Sequence, residues 1–204
     1  MRITWYGHSC FKIDAVEGSL ILDPYSDGSV PGLEPLRASA DAVYCSHGHQ
    51  DHNGVENVTL TKHRCDLQVT YIDCFHDDRD GKLRGPNRIH IISGEGLKIA
   101  HLCDLGHRLT DEQARELTGL DALFIPVGGY FTIDAKTAEA LLEILRPRVV
   151  FPMHYRKGRT GYPAIAGLDK FLALRTDVHA YDTNTLALTK DTPAQTAVLT
   201  FKSV

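Results

Sequence analysis

Apolar and polar positions alternate in short blocks over the first half of the chain. Arg2–Tyr6 and Cys10–Ile13 have the length and residue types of strands, with Gly7-His8-Ser9 between them. Gly18-Ser19 opens a third run, Leu20-Ile21-Leu22, which stops at Asp23-Pro24. Residues 25–40 contain Gly and Pro and no period, which predicts a loop. Ala42-Val43-Tyr44-Cys45-Ser46 is an apolar run ending on a small polar residue, as when a buried strand delivers a loop to a sheet edge. A polar connection leads to a long strand signal over Leu67–Phe75, with a turn at Asp80-Gly81. Arg88–Ile92 and Leu97–Leu102 flank Ser93-Gly94-Glu95-Gly96 and predict a hairpin.

The period then lengthens. Thr110 and Gln113 fit a capping box and Gly119 fits the stop of a helix. Leu123–Val127 predicts a buried strand. Over Asp134–Arg146, Ala138, Leu141, Leu142 and Leu145 fall on one helical face, and Pro147 ends the helix. Val149-Val150-Phe151 predicts a strand, Leu168–Leu174 a helix, and the chain from Val178 onward short strands. No repeat, low-complexity run or linker interrupts residues 1–204, so one domain is expected. Strands first and helix–strand alternation later predict a layered α/β sandwich.

Composition narrows the function. Apolar content of 43% and charged content of 24% are ordinary for a soluble domain. A net charge of −4 supplies no general attraction for nucleic acid or an anionic membrane. No apolar run approaches the ~20 residues of a membrane span. Met1–Trp5 reads as a strand, not a signal peptide, and the 5 cysteines are scattered. Reduced thiols in a cytoplasm are the simpler expectation. The expected partner is a small-molecule substrate. Nothing in the pattern addresses oligomeric state.

The chemistry concentrates in His47-Gly48-His49-Gln50-Asp51-His52, where 3 imidazoles and a carboxylate share 6 residues. These are ligands that zinc and similar cations take. Three further acids or imidazoles stand at the ends of strand-like runs: His76, Asp104 and His154. Functional groups in layered sheets collect where strands end.

With these residues the chain resembles the metallo-β-lactamase-fold hydrolases, whose signature is H-x-H-x-D-H. Further segments resemble their small UlaG-like, lactonase-related branch: Gly7-His8-Ser9-Cys10, Ile21-Leu22-Asp23-Pro24, His76-Asp77 with Arg84-Gly85-x-Asn87, His101-Leu102-Cys103-Asp104, Ile125–Gly129 and Pro152-Met153-His154-Tyr155. The resemblance runs in order from residue 2 to about residue 172. It implies a four-layer αβ/βα sandwich with metals at one edge. It also implies that His47, His49 and His76 hold a first cation, that Asp51, His52 and His154 hold a second, and that Asp104 bridges them. Asp51 and His154 are the catalytic candidates. Zinc is the first choice of metal, with manganese or iron compatible with the same donors. Asp23 resembles the carboxylate that props the His-rich loop, although a turn residue before Pro24 reads equally well. His8 and Asn87 are candidates for supporting or substrate-side roles. Arg84 and Lys157 could meet an anionic substrate. Cys103 departs from the family, which usually has Gly there. Its thiol could pack against the sheet, crowd the site or be oxidised.

The implied reaction is hydrolysis of a small anionic ester, a lactone or phosphodiester, by a hydroxide shared between two cations. A cation of this kind brings the pKa of water from ~15.7 to about 7. Two other activities share the scaffold. An iron-containing redox or non-hydrolytic metalloprotein would be separated by metal analysis. An RNA-processing nuclease is disfavoured by the acidic net charge and the lack of an evident RNA-binding arm.

Overall fold

A computed structural model describes residues 1–201. The chain opens with β1 (Arg2–Gly7), β2 (Cys10–Ala15), β3 (Gly18–Leu22), β4 (Ala38–Ala40), β5 (Ala42–Tyr44) and, after a 3-10 turn at Val55–Asn57, β6 (Val58–Leu60). Three longer strands follow: β7 (Gln68–Phe75), β8 (Pro86–Gly94) and β9 (Leu97–His101). Helix and strand then alternate as α1 (Asp111–Glu116), β10 (Ala122–Pro126), α2 (Ala135–Leu145), β11 (Val149–Met153) and α3 (Asp169–Leu172). The short strands β12 (Val178–Ala180), β13 (Thr185–Ala187) and β14 (Gln195–Val198) complete the fold.

These strands form a five-stranded sheet, β13-β1-β2-β3-β5, and a seven-stranded sheet, β12-β14-β11-β10-β9-β8-β7. The centre of the larger sheet is parallel, since β9, β10, β11 and β14 run the same way. Every residue of β10 and β11 is buried, which is why Leu123–Val127 reads as an unbroken apolar run. The two sheets meet face to face through aromatic rings. Phe11 of β2 stacks on Phe124 of β10 at 4.2 Å, and Phe124 meets Phe151 of β11 at 5.1 Å. The fold is the layered α/β sandwich that the sequence predicts, with few helices. Among the described residues no helix is long and apolar enough to cross a membrane.

The helices follow their sequence signals. Thr110 and Gln113 form the capping box of α1. Asp134 caps α2 by accepting from the Thr137 amide, and Ala138, Leu141, Leu142 and Leu145 form its buried face. Its C-cap is Arg146 in the left-handed region, next to Pro147. Three elements differ from the pattern. The loop expected over residues 25–40 ends in β4, which pairs with β6 inside the polar connection. Strands of three residues are too short to show a period. β11 runs on through Pro152-Met153, because β14 pairs only with Val149 and Val150, so Pro152 lies beyond that ladder.

This topology places the polar loops together. The His-rich stretch follows β5, His76 follows β7, Asp104 follows β9, His154 follows β11, and His8 lies in the β1–β2 turn. The ends of strands from both sheets therefore converge at one edge of the sandwich.

Candidate metal centre

Three imidazoles at this edge are fixed by a hydrogen bond at Nδ1. Asp23, fully buried, accepts at Oδ1 from the Ser46 amide (2.7 Å) and at Oδ2 from the Ser46 hydroxyl (2.8 Å) and His52 Nδ1 (2.8 Å). Since the Ser46 proton is spent on Asp23, its oxygen accepts from His47 Nδ1, at 2.8 Å. His76 Nδ1 donates to the Phe131 carbonyl at 3.1 Å. With Nδ1 as the donor, each ring in its neutral form has its lone pair at Nε2, the arrangement that presents imidazole to a cation. Asp23 is thus more than the turn residue before Pro24; it sets the orientation of His52 directly and of His47 through Ser46.

The lone pairs converge on Asp104. Its Oδ1 lies 3.1 Å from His52 Nε2, and its Oδ2 lies 3.1 Å from His76 Nε2 and 3.3 Å from His154 Nε2. His47 Nε2 and His49 Nδ1 face each other at 3.0 Å. Donor atoms of His47, His49 and His76 form one group within 4.8 Å of one another, and those of His8, Asp51, His52 and His154 form another.

The donor set fits cations on a direct observation. His52 Nε2 and Asp104 Oδ1 are buried and 3.1 Å apart, yet neither has an aligned hydrogen-bond partner. Two electron-rich atoms in such contact need positive charge between them. The electrostatics agree. Burial lowers the proton affinity of His52, but Asp104 and Asp23 outweigh it and hold the pKa well above the usual value. The Asp104 carboxyl is held well below its usual range, burial being overcome by His154 and His52. Burial and His52 push His47 down to about 3, so it stays neutral and able to donate a lone pair.

Asp51 is pinned from the side. Its Oδ2 lies 3.2 Å from His8 Nε2 and 3.6 Å from His52 Nε2. Burial pushes its carboxyl up, but His8 and His52 prevail and keep it ionised. His8 is itself buried, with its ring 4.1 Å from that of His154. Burial and His154 lower it to about 4. Four residues of this edge, His8, Asp23, Cys103 and His154, have left-handed φ of 50°, 44°, 53° and 52°. Such backbone costs roughly 1–2 kcal/mol per residue and persists where surrounding structure demands it.

Asn87 stands behind Asp104. Its Oδ1 accepts from the Asp104 amide at 3.2 Å, and its Nδ2 donates to the Leu102 carbonyl at 3.1 Å. It holds the strand-end turn and does not line the cavity. The Cys103 thiol points to His101 Nδ1 at 2.8 Å, with His90 Nδ1 at 3.7 Å. Burial and Asp23 push it far above the usual thiol range, so it is an inert, packed thiol that leaves the site uncrowded. Lys157 lies over the Phe201 ring and is absent from the site.

The edge opens into a cavity of about 260 Å³ lined by His49, Asp51, His76, Arg84, Asp104, Phe131, His154 and Tyr162. Phe131, which follows Tyr130, and Tyr162 carry no signal in the sequence, because aromatics in loops have no period to mark them. Their rings pack at 5.5 Å to form one wall.

Fold and edge together define a metallo-hydrolase of the metallo-β-lactamase type. The chain belongs to the beta-lactamase superfamily, whose domain matches residues 2–154. It is 27% identical over 193 residues to a UPF0173 metal-dependent hydrolase of Methanopyrus kandleri, covering 76% of this chain and 84% of that protein. A UPF0173 metal-dependent hydrolase of Archaeoglobus fulgidus is likewise 27% identical over 195 residues, covering 76% and 83%. The crystal structure of a metallo-beta-lactamase-superfamily protein from Thermotoga maritima superposes with a TM-score of 0.79 at 30% identity, covering 98% of this chain and 99% of that one.

Proposed function

We propose that the protein hydrolyses a small anionic ester, a lactone or phosphodiester, at a dinuclear centre. In this reading His47, His49 and His76 hold one divalent cation, and Asp51, His52 and His154 hold the other. Asp104 serves both, and zinc is the first choice of metal. The observation that carries the reading is Asp104 itself: a buried carboxylate with one oxygen toward His52, the other toward His76 and His154, and Oδ1 without a hydrogen bond. Divalent cations bound there would acidify water and withdraw charge from a carbonyl or phosphoryl oxygen.

The protein's own groups have distinct tasks. The Asp23–Ser46 pair and the Phe131 carbonyl hold three rings so that Nε2 faces inward. Asp51, steadied by His8, offers an ionised carboxylate at the cavity wall to orient the attacking water and take its proton. Phe131 and Tyr162 exclude bulk water from one side. The segments quoted above favour a UlaG-like relationship. Five free cysteines fit a reducing cytoplasm.

The test is turnover on a panel of lactones, phosphodiesters and thioesters at defined zinc and manganese loading, with metal counted by elemental analysis. Two metals per chain and turnover of an ester or phosphodiester are expected. A ceiling of one metal under saturating conditions would overturn the dinuclear reading.

A further inference from the structure

The loop between β7 and β8 is folded around one carboxylate. Asp77, buried beside His76, accepts four backbone amides: Arg79 (2.8 Å) and Gly81 (3.0 Å) at Oδ1, Leu83 (3.0 Å) and Arg84 (2.7 Å) at Oδ2. The loop closes on itself, with the His76 amide donating to the Gly85 carbonyl at 3.1 Å and the Gly85 amide to the Gly81 carbonyl at 2.9 Å. Gly81 has φ +75°, and a Cβ there would come within 2.9 Å of the Phe75 ring. A surface loop held this firmly places its last side chains at a set position.

That position is the mouth of the cavity. Arg84 lines it, with its guanidinium carbon 5.6 Å from the centre of the Phe131 ring. Among the described lining residues it is the one permanent cation. Elsewhere Arg37, Arg148 and Arg175 each hold a carboxylate. Asp77 engages the Arg84 amide, and among the described residues no carboxylate oxygen lies within 4.0 Å of the Arg84 guanidinium. A planar guanidinium beside donors arranged for divalent cations is electrostatically costly unless an anion lies between them. The cavity, at about 260 Å³, sits below the range of drug-sized pockets.

We propose that Arg84 is the specificity residue of this site. It reads a carboxylate or phosphoryl group that the substrate carries in addition to its scissile bond. This rests on the hydrolytic reading above and narrows it: the substrate is small and bears a second anionic group within a few bonds of the one attacked. The competing role for Arg84 is structural, as a cation resting on the Phe131 ring. Such a role would affect stability and leave ligand discrimination untouched.

Calorimetric titration of the metal-loaded protein with succinate, 3-phosphonopropionate and butyrate separates the two. The first two ligands offer a second anion and butyrate does not. The native protein should bind at least one dianion about tenfold or more tighter than butyrate, the scale of a charge-assisted pair. The tighter dianion identifies the group as carboxylate or phosphoryl. Arg84→Gln should abolish the preference while leaving butyrate affinity and metal content unchanged, and Arg84→Lys should restore part of it. A native protein without preference, or an Arg84→Gln variant that keeps it, would overturn the proposal. Metal content, measured on the same samples, separates the two readings: protein that binds metal but shows no dianion preference overturns the Arg84 proposal alone, whereas protein that binds no metal refutes the hydrolytic reading and the Arg84 proposal with it.

Discussion

The parallel strands β9, β10 and β11 have a buried aspartate at each end, and the two are in opposite states. At the N-terminal end Asp121, just before β10, accepts from Arg148 at 2.9 Å, from Lys190 at 3.0 Å and from the Lys98 amide at 2.8 Å. At the C-terminal end Asp104 faces His52, His76 and His154, and one of its oxygens has no hydrogen bond. Asp121 is neutralised by cations that belong to the chain. Asp104 is left to neutral or titratable rings and to whatever positive charge enters. A carboxylate that the protein satisfies supports the fold, and one that it leaves short of charge marks a site.

Removing the charge at the unsatisfied end should have the largest effect. Asp104→Asn preserves shape and loses the negative charge shared by both groups of imidazoles. Turnover should fall by roughly a hundredfold or more, with metal content reduced and far-UV circular dichroism unchanged. A folded variant with native metal content and near-native turnover would show that Asp104 holds no cations.

His154 tests whether the two groups of donors act separately. It reaches Asp104 Oδ2 at 3.3 Å and belongs with His8, Asp51 and His52. His154→Ala leaves the other group, His47, His49 and His76, intact. One of two binding steps in a metal titration should weaken strongly while the other stays near native, and activity should recover in part at high metal. Two unchanged steps would place His154 outside the site.

Asp23 lies one layer further out and its loss should cost less. Asp23→Asn keeps an acceptor for one partner but cannot satisfy the Ser46 amide, the Ser46 hydroxyl and His52 Nδ1 as a carboxylate does. Metal affinity or activity should drop about 10–100-fold, the usual effect of removing a group that orients a ligand. Native affinity in this variant would show that Ser46 and the backbone suffice.

The elements and the candidate donors at the Asp104 end were readable in the chain, for definite reasons, whereas nothing in it marked Asp121. Apolar runs such as Leu123–Val127 announce buried strands, and the face of Ala138, Leu141, Leu142 and Leu145 announces α2. The candidate donors stand out because His47, His49, Asp51 and His52 crowd one loop and His76, Asp104 and His154 follow strands. What could not be read depends on tertiary approach. Ala38–Ala40 and Val58–Leu60 become strands only by pairing with each other. Ser46 relays Asp23 to His47, and the Asp77 carboxylate organises the loop that carries Arg84. Phe131 and Tyr162 come from separate loops, so no spacing marks them as one wall.

The satisfied end gives the smallest effect and the sharpest control. Burial pushes the Asp121 carboxyl up, but Arg148, the Lys98 amide and Lys190 outweigh it and hold it below the usual range. Its folded pKa is therefore depressed relative to ~3.9 in the unfolded chain. The stability it contributes is present above the unfolded value and is lost as pH falls through the folded one. Asp121→Asn should lower the urea midpoint near neutral pH, with the difference from the native protein shrinking below about pH 4. Metal-stripped protein is the right sample, since acid also releases metal from histidines. The metal content of the loaded variant should be native, because the change lies at the opposite end of the strands from His154. An equal midpoint difference at neutral pH and at about pH 3 would mean that the ion pairs at Asp121 contribute nothing through its charge, and the comparison between the two ends would then rest on Asp104 alone.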